Sequence, residues 1–387
     1  LRPGRGKLAH VIPTPTARHL GSRDPALARA LTARGREVWP LRRRDADLGH
    51  AVTVHRAPLD ARTERARWQA AEPLFLPGVL GDIERREEAS IQASLEMFAR
   101  LRGEQSELLD ELELRLHDDD WLRYAGSTVD RDDPRELERC FVDAEQGGQP
   151  VAQDLWAKLA WITDDPSDPS LRVRFSNGLD QLEEWMTTSD HTASWVDRFA
   201  LHAFPECGAV LRCAGLRERL DRLVARPHRL SERIVYNNAP NGGAAFHHDA
   251  EPGQLGVVFS QLEGRTAWFT LAKRRLVDLL VRFGMGRPRA VRAALDAGDD
   301  PDLLHVLNRD EGFARLLAAH GALFVLRAGD AILLPSHGFD DVAWHSVLAV
   351  GDQPSLAHSY GVFGRDEDYD VGGDPWLARR PLATSKG

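Results

Sequence analysis

The chain has 387 residues, 42% of them hydrophobic, enough for one large or two coupled domains. Its formal charge of −9 argues against general nucleic-acid binding, which needs a basic face to neutralise phosphates. No apolar run approaches the roughly 20 residues that span a membrane, no secretory signal is visible, and three cysteines without a ligand-type spacing suggest free thiols in a reducing, cytoplasmic compartment.

Residues 1–60 read as an N-terminal α/β arm. A short strand is predicted near "AHVI", a helix over "DPALARALTARG" and a strand at "EVWPL". The arm is rich in arginine (Arg18, Arg23, Arg29, Arg34, Arg36, then "LRRRD" at 41–45), which reads as a solvated helix face.

Residues 61–228 read as mainly helical. Between 80 and 117, Ile91, Leu95, Phe98, Leu101, Leu108 and Leu112 recur near the helical period. Asp118, Asp119 and Asp120 read as a solvated loop after that helix. In "DPRELERCFVDAE", Asp133 suits an N-cap and Pro134 a first helical position. "VAQDLWAKLAWI" is predicted as another helix, "LRVRFS" at 171–176 as a half-buried strand, and 179–187, 192–203 and 206–225 as helices.

The texture changes in the third segment, 229–387. "RIVYNN", "QLGVVFSQL" and "TAWFTLA" are short strand-like runs. A helical insert follows over 273–321, and then "ALFVL", "DAILLPS", "DVAWHSVLAV" and "SLAHSYGVF" resume the strands. The fold class is therefore α+β, with a sandwich or barrel carrying a helical insert between its strands.

One stretch of this segment concentrates chemistry. "NNAPNGGAAFHHDAEPG", residues 237–253, holds His247, His248, Asp249 and Glu251 within five positions. In extended chain, residues i and i+2 share a face. His247 and Asp249 therefore face one way and His248 the other, while a turn at "AEPG" aims Glu251 elsewhere. His345, ninety-six residues beyond Asp249 on a strand of its own, can supply a third ligand. Two imidazoles and one carboxylate leave three positions open, which suits non-haem Fe(II) chemistry. His337 reads as a loop residue at the barrel mouth. The Asn-Gly and Gly-Gly steps permit positive φ, which serves either a close approach of ligand to backbone or a tight turn.

With "GDAILLPS" ahead of "WHSV", residues 231–364 resemble the cupin-type Fe(II)/2-oxoglutarate oxygenases, particularly the JmjC-like branch. The resemblance implies a double-stranded β-helix (jelly-roll) core and metal ligation by His247, Asp249 and His345. It implies Fe(II) as metal, 2-oxoglutarate as cosubstrate, O2 as oxidant, and hydroxylation of a small-molecule or peptide substrate. Retention of Asp249 argues against halogenation, which in related enzymes needs that position vacated.

The same resemblance places a lysine in "G-x-K-x-W" to bind the far carboxylate of 2-oxoglutarate. Here Gly264 and Trp268 match, but Thr266 stands where the lysine would be. Tyr236, Asn238, Tyr360 and Arg365 are further candidates for binding the cosubstrate, with Arg233, Arg265, Lys273 and His358 as others. Two other functions stay open: a metal-dependent cupin enzyme that uses no 2-oxoglutarate, and a non-catalytic binding protein. The helical region is expected to recruit substrate or form a dimer interface, and the insert to build a lid or substrate wall.

Overall fold

The structure is a computed structural model that describes residues 14–21, 25–44, 46–56, 59–116, 121–129, 133–177, 190–251 and 253–364. The strand predicted near "AHVI", Asp118 to Asp120, the helix predicted over 179–187, and Arg365 lie outside them. None of the described helices is long and apolar enough to cross a membrane.

Helices and strands mix around one large and two small antiparallel sheets. The strands run β1 (Thr14–Leu20), β2 (Val38–Arg43), β3 (Ala46–Arg56), β4 (Leu74–Leu76), β5 (Leu122–Thr128), β6 (Glu136–Gln146), β7 (Gln149–Trp161), β8 (Leu171–Asn177) and β9 (His228–Asn238). They continue as β10 (Gln254–Glu263), β11 (Arg265–Ala272), β12 (Leu323–Arg327), β13 (Ala331–Pro335), β14 (Ala343–Ala349) and β15 (Ser355–Gly364). A nine-stranded sheet has the order β4-β13-β10-β15-β9-β8-β7-β6-β5, and a three-stranded sheet the order β12-β11-β14. A second three-stranded sheet, β1-β3-β2, comes from the N-terminal arm.

Strand alternation assigns the side chains to layers. Val257, Phe259, Ile332, Leu334 and Ala357 on the large sheet meet Trp268, Phe324, Leu326, Ala343 and Val347 on the small one. Their neighbours Val258, Leu262, Leu333, Leu356 and Val362 point the other way, into a core capped by Phe98, Phe199, Phe204 and Leu216. The outer face of the small sheet carries the insert, through Leu276, Leu280, Leu303, Phe313 and Leu317.

The insert comprises the helices Lys273–Phe283, Pro288–Ala297, Pro301–Arg309 and Glu311–Ala319. Asp300 caps the third, accepting from Asp302 N and Leu303 N, and Asp310 caps the fourth, accepting from Phe313 N. The insert packs behind the small sheet, so the expectation that it would form a lid or wall over the site does not hold among the described residues.

The expectation of a mainly helical 61–228 also needs correction. Helices do form at Ala61–Gln69, Ile83–Arg86, Glu88–Arg102, Leu108–Leu116, Asp190–Ala203, Cys207–Leu211 and Ala214–Val224. But "ELERCFVDAEQ" and "QPVAQDLWAKLAW" are the strands β6 and β7, and with β5 and β8 they extend the large sheet. Asp133 caps no helix. It accepts from Arg135 N at 3.0 Å and turns the chain into β6.

Arg29, Arg34, Arg36 and Arg42 are exposed, as a solvated face requires, but Arg43 and Arg44 depart from that expectation. Arg43 ends β2 and is buried, donating to Gly243 O (3.1 Å), Ala244 O (2.9 Å), Ser346 Oγ (2.6 Å) and Val347 O (3.3 Å). Arg44 pairs with Asp168, which accepts from Gly243 N. The arm therefore ties itself to the segment that carries His247. Cys140 and Cys207 are buried free thiols, as expected, and Cys213 is a half-buried one.

Candidate metal centre

The segment after β9 runs antiparallel to β14. Val347 N donates to Ala244 O (2.9 Å), Ala349 N to Gly242 O (2.8 Å), and His247 and His345 exchange both backbone bonds at 2.9 Å. Asn308, from the insert, accepts from Phe246 N at 2.8 Å. This pairing brings two histidines distant in sequence side by side, with ring centroids 4.2 Å apart.

The two glycines of the approach settle its role. A Cβ on Gly242 would meet Ser170 Oγ at 2.3 Å and Asp168 Oδ1 at 2.4 Å, and one on Gly243 (φ +131°) would meet Val347 O at 2.5 Å. A side chain at Gly243 would meet the β14 backbone, and one at Gly242 would need Ser170, Asp168 and Arg44 to shift, so both glycines serve the packing of protein on protein.

His247, Asp249 and His345 each offer a ligand atom, and these atoms lie within 4.8 Å of one another. His247 Nε2 is 3.3 Å from Asp249 Oδ1, and His345 Nε2 is 3.5 Å from Asp249 Oδ2. His247 Nδ1 contacts Ala245 O at 2.7 Å. A proton held there leaves the Nε2 lone pair directed at the centre, the usual arrangement for a ligating imidazole. The buried Nδ1 of His345 has no hydrogen-bond partner. His345 is buried, whereas the His247 side chain is 41% exposed.

The charges suit a cation. Burial alone would raise the Asp249 carboxyl, but His345 and His247 hold it well below the ordinary carboxylate range. For His247, burial works against protonation, and Asp249 with the Ala245 carbonyl outweighs it, so its pKa is raised. Burial and the neighbouring His247 push His345 down to about 3. An ionised carboxylate between two imidazoles is an arrangement that favours a bound cation.

A ring stack fixes His345. The indole of Trp268 lies 5.3 Å from its imidazole at 23° between planes. Trp268 Nε1 donates to Thr266 Oγ1 (3.0 Å), Thr266 Oγ1 donates to Gln261 Oε1 (2.6 Å), and Gln261 Nε2 donates to Glu263 O (2.7 Å) and Leu356 O (3.1 Å).

The other sequence candidates divide by strand parity. Tyr236, Asn238 and Ser359 line a small cavity of about 30 Å³ together with the three ligands and an apolar wall that includes Phe259, Trp268 and Leu334. Ser359 Oγ donates to Tyr236 Oη at 3.3 Å, and Asn238 Nδ2 donates to Ser355 Oγ at 3.2 Å. Burial and the nearby Asp249 charge push the Tyr236 phenol up to about 12.

Tyr360 and His358 do not join them. They face the opposite side of β15, where Tyr360 Oη donates to Cys207 O at 2.9 Å. Thr266 is absent from the cavity wall and both its hydrogen-bonding roles are committed. Arg233 pairs with Asp197 (2.8 Å), Lys273 with Asp296 (2.5 Å), and Arg265 lies over Trp39.

His248 packs edge-on against Trp344 at 5.1 Å, on the side away from the centre. Glu251 lies 3.9 Å from Arg174, and His337 Nε2 contacts Trp68 O at 2.8 Å. Two roomier depressions, one beside Arg85, Arg212 and Cys213 and one beside Pro25 and His50, carry no further metal-ligating group among the described residues.

No protein-family model matches the chain, and no curated protein does. Solved structures that overlap it include an oxidoreductase of the 2OG-Fe(II) oxygenase family from Burkholderia pseudomallei, at 12% identity over 80% of this chain and 92% of that one, with a TM-score of 0.30. The epimerase SnoN in complex with Fe3+, alpha ketoglutarate and nogalamycin RO overlaps at 18% identity over 84% and 91%, TM-score 0.32. A Pseudomonas putida prolyl-4-hydroxylase overlaps at 8% identity over 79% and 100%, TM-score 0.28. At TM-scores below 0.5 these likenesses are loose, and what the centre can do rests on its own residues.

Proposed function

We propose that the chain is an Fe(II)- and 2-oxoglutarate-dependent oxygenase that hydroxylates an unactivated C–H bond of a small molecule or a peptide side chain. The observation that carries this is the His247–Asp249–His345 cluster at the wall of a largely apolar cavity. Two imidazoles and a carboxylate are the donor set that suits Fe(II) with positions left open. The strand order supports the reading. β13-β10-β15-β9 opposite β12-β11-β14, with the His247 segment beside β14, is the order a double-stranded β-helix would give.

A bound iron with its 2-oxo acid would supply the oxidising power for O2 activation. The chain's own part is distinct. Asp249 stays ionised, and the Ala245 carbonyl keeps the His247 proton on Nδ1. Trp268 fixes the His345 ring. Tyr236, Asn238 and Ser359 give the cavity one polar wall to orient a ligand, while Val257, Phe259 and Leu334 exclude water.

One observation favours a second reading, a metal enzyme that uses no 2-oxo acid. The position expected to carry the cosubstrate's cation holds Thr266, and its hydroxyl is committed. Anaerobic loading with Fe(II), followed by O2 and 2-oxoglutarate, separates the two. Succinate release that is lost in His247→Ala supports the oxygenase. Iron binding without succinate release supports the second reading, and failure to bind any divalent ion overturns both.

A further inference from the structure

Thr270 on β11 has no assigned role. Its register partner across the small sheet is His345, so the two side chains share a face, the face on which His345 and Trp268 line the cavity. Their backbone groups turn to other strands. Thr270 N donates to Ala322 O (2.8 Å), and His345 exchanges both its backbone bonds with His247. The pair is therefore of the non-hydrogen-bonded kind, in which facing side chains stand closest.

Each of the two carries a buried polar atom without a partner. Thr270 Oγ1 has no hydrogen bond, and neither has His345 Nδ1. A buried polar atom left unpaired is costly. The Ala343 carbonyl acts on the His345 ring, but from outside hydrogen-bonding geometry. His247 has no such gap, because its Nδ1 contacts Ala245 O at 2.7 Å. Three other hydroxyls near the centre are committed: Thr266 to Gln261 and Trp268, Ser346 to Arg43, and Ser359 to Tyr236.

An imidazole that ligates through Nε2 carries its proton on Nδ1, and that N–H needs an acceptor. A hydroxyl can accept as well as donate, and a turn about χ1 re-aims it without moving the backbone. We infer that Thr270 is the positioning residue for His345, its hydroxyl accepting from Nδ1–H when Nε2 takes a divalent metal. This rests on the metal centre of the readings above, with or without a 2-oxo acid. Each imidazole then has its own acceptor, a backbone carbonyl for His247 and a side chain of the neighbouring strand for His345.

The test loads the chain with Co(II) and takes two readouts. Calorimetry gives the affinity. Proton NMR gives the exchangeable ring N–H signals of the ligating histidines, which the paramagnetic ion moves away from all others. Thr270→Val keeps the shape and removes the hydroxyl, whereas Thr270→Ser keeps the hydroxyl. Thr270→Val should bind Co(II) roughly tenfold to a hundredfold more weakly. One of the two ring N–H signals should shift or be lost to solvent exchange, and the other should stay. Thr270→Ser should match the wild type in both readouts. Metal-free Thr270→Val should melt no lower than the wild type, since it loses only an unpaired hydroxyl. Should it fail to fold, Thr270→Ala takes its place in both measurements. Wild-type affinity with both signals unmoved in the folded variant overturns the inference and leaves the Ala343 carbonyl as acceptor. An affinity loss with both signals unmoved, or one that Thr270→Ser shares, is an effect of packing and overturns it too. Wild-type protein that binds no Co(II) overturns the metal-centre reading instead.

Discussion

Trp268 is stacked on His345, 5.3 Å between ring centroids and 23° between planes, and it is held there by Thr266 and Gln261. Thr266→Val keeps the shape of the side chain but strands a buried indole N–H. It should cost about 1–3 kcal/mol of stability and weaken metal binding by up to roughly tenfold. Discrimination between 2-oxoglutarate and 2-oxobutanoate, which lacks the far carboxylate, should be untouched. Loss of that discrimination would return Thr266 to the cosubstrate site.

His247→Ala, Asp249→Ala and His345→Ala each remove one of three ligands. Each should weaken divalent-metal binding by more than the ~10–100-fold typical of an outer partner, as read by calorimetry or by metal content after dialysis. His248→Ala is the control. It lies against Trp344 on the other side and should bind metal like the wild type.

Gly242→Ala probes how the metal segment is seated. The added methyl would fall within 2.7 Å of Ser170, Asp168 and Arg44. Overpacking of this kind costs typically ~1–3 kcal/mol, so the melting temperature should drop by several degrees. An unchanged melting temperature would show that the Asp168–Arg44 pair yields freely.

Acid should destabilise the metal-free protein through its buried neutral histidines. His358 has no partner for either ring nitrogen, and burial, then Arg233, hold its pKa well below the ordinary value. His345 is pushed down to about 3 by burial and His247. In the unfolded chain both titrate near ~6.5. Below that pH the unfolded state binds more protons, so stability falls with falling pH, for His345 over the window from 6.5 to about 3. His247, raised by Asp249, has the opposite sign, and its contribution is lost as pH rises through its folded value. His358→Leu should therefore lose less stability than the wild type between pH 7 and pH 5, measured by denaturant midpoint. Equal losses would remove His358 from the account.

How much of this was legible in the sequence depended on where pattern and propensity agreed. From β8 to β15 the apolar alternation and Gly turns marked every strand. His247 and Asp249 were separable from His248 by parity alone. β6 and β7 were not legible, because "DPRELERC" offers a helix-like start and many helix formers. The outcome was decided by pairing with β5 and β8, which no local window contains. Parity also separated Tyr236 from Tyr360, but only once the register of β15 against β9 was known.

The pairing of His247 with His345 has a mechanical consequence. The chain between them holds β10 to β13 and the whole helical insert. An ion coordinated by both histidines would act as a clasp on a loop of about a hundred residues. A covalent cross-link over that span is worth roughly 4–5 kcal/mol in chain entropy. Metal occupancy would then set how often the insert and its strands open together, so protection of their backbone amides from exchange with solvent should follow the metal concentration.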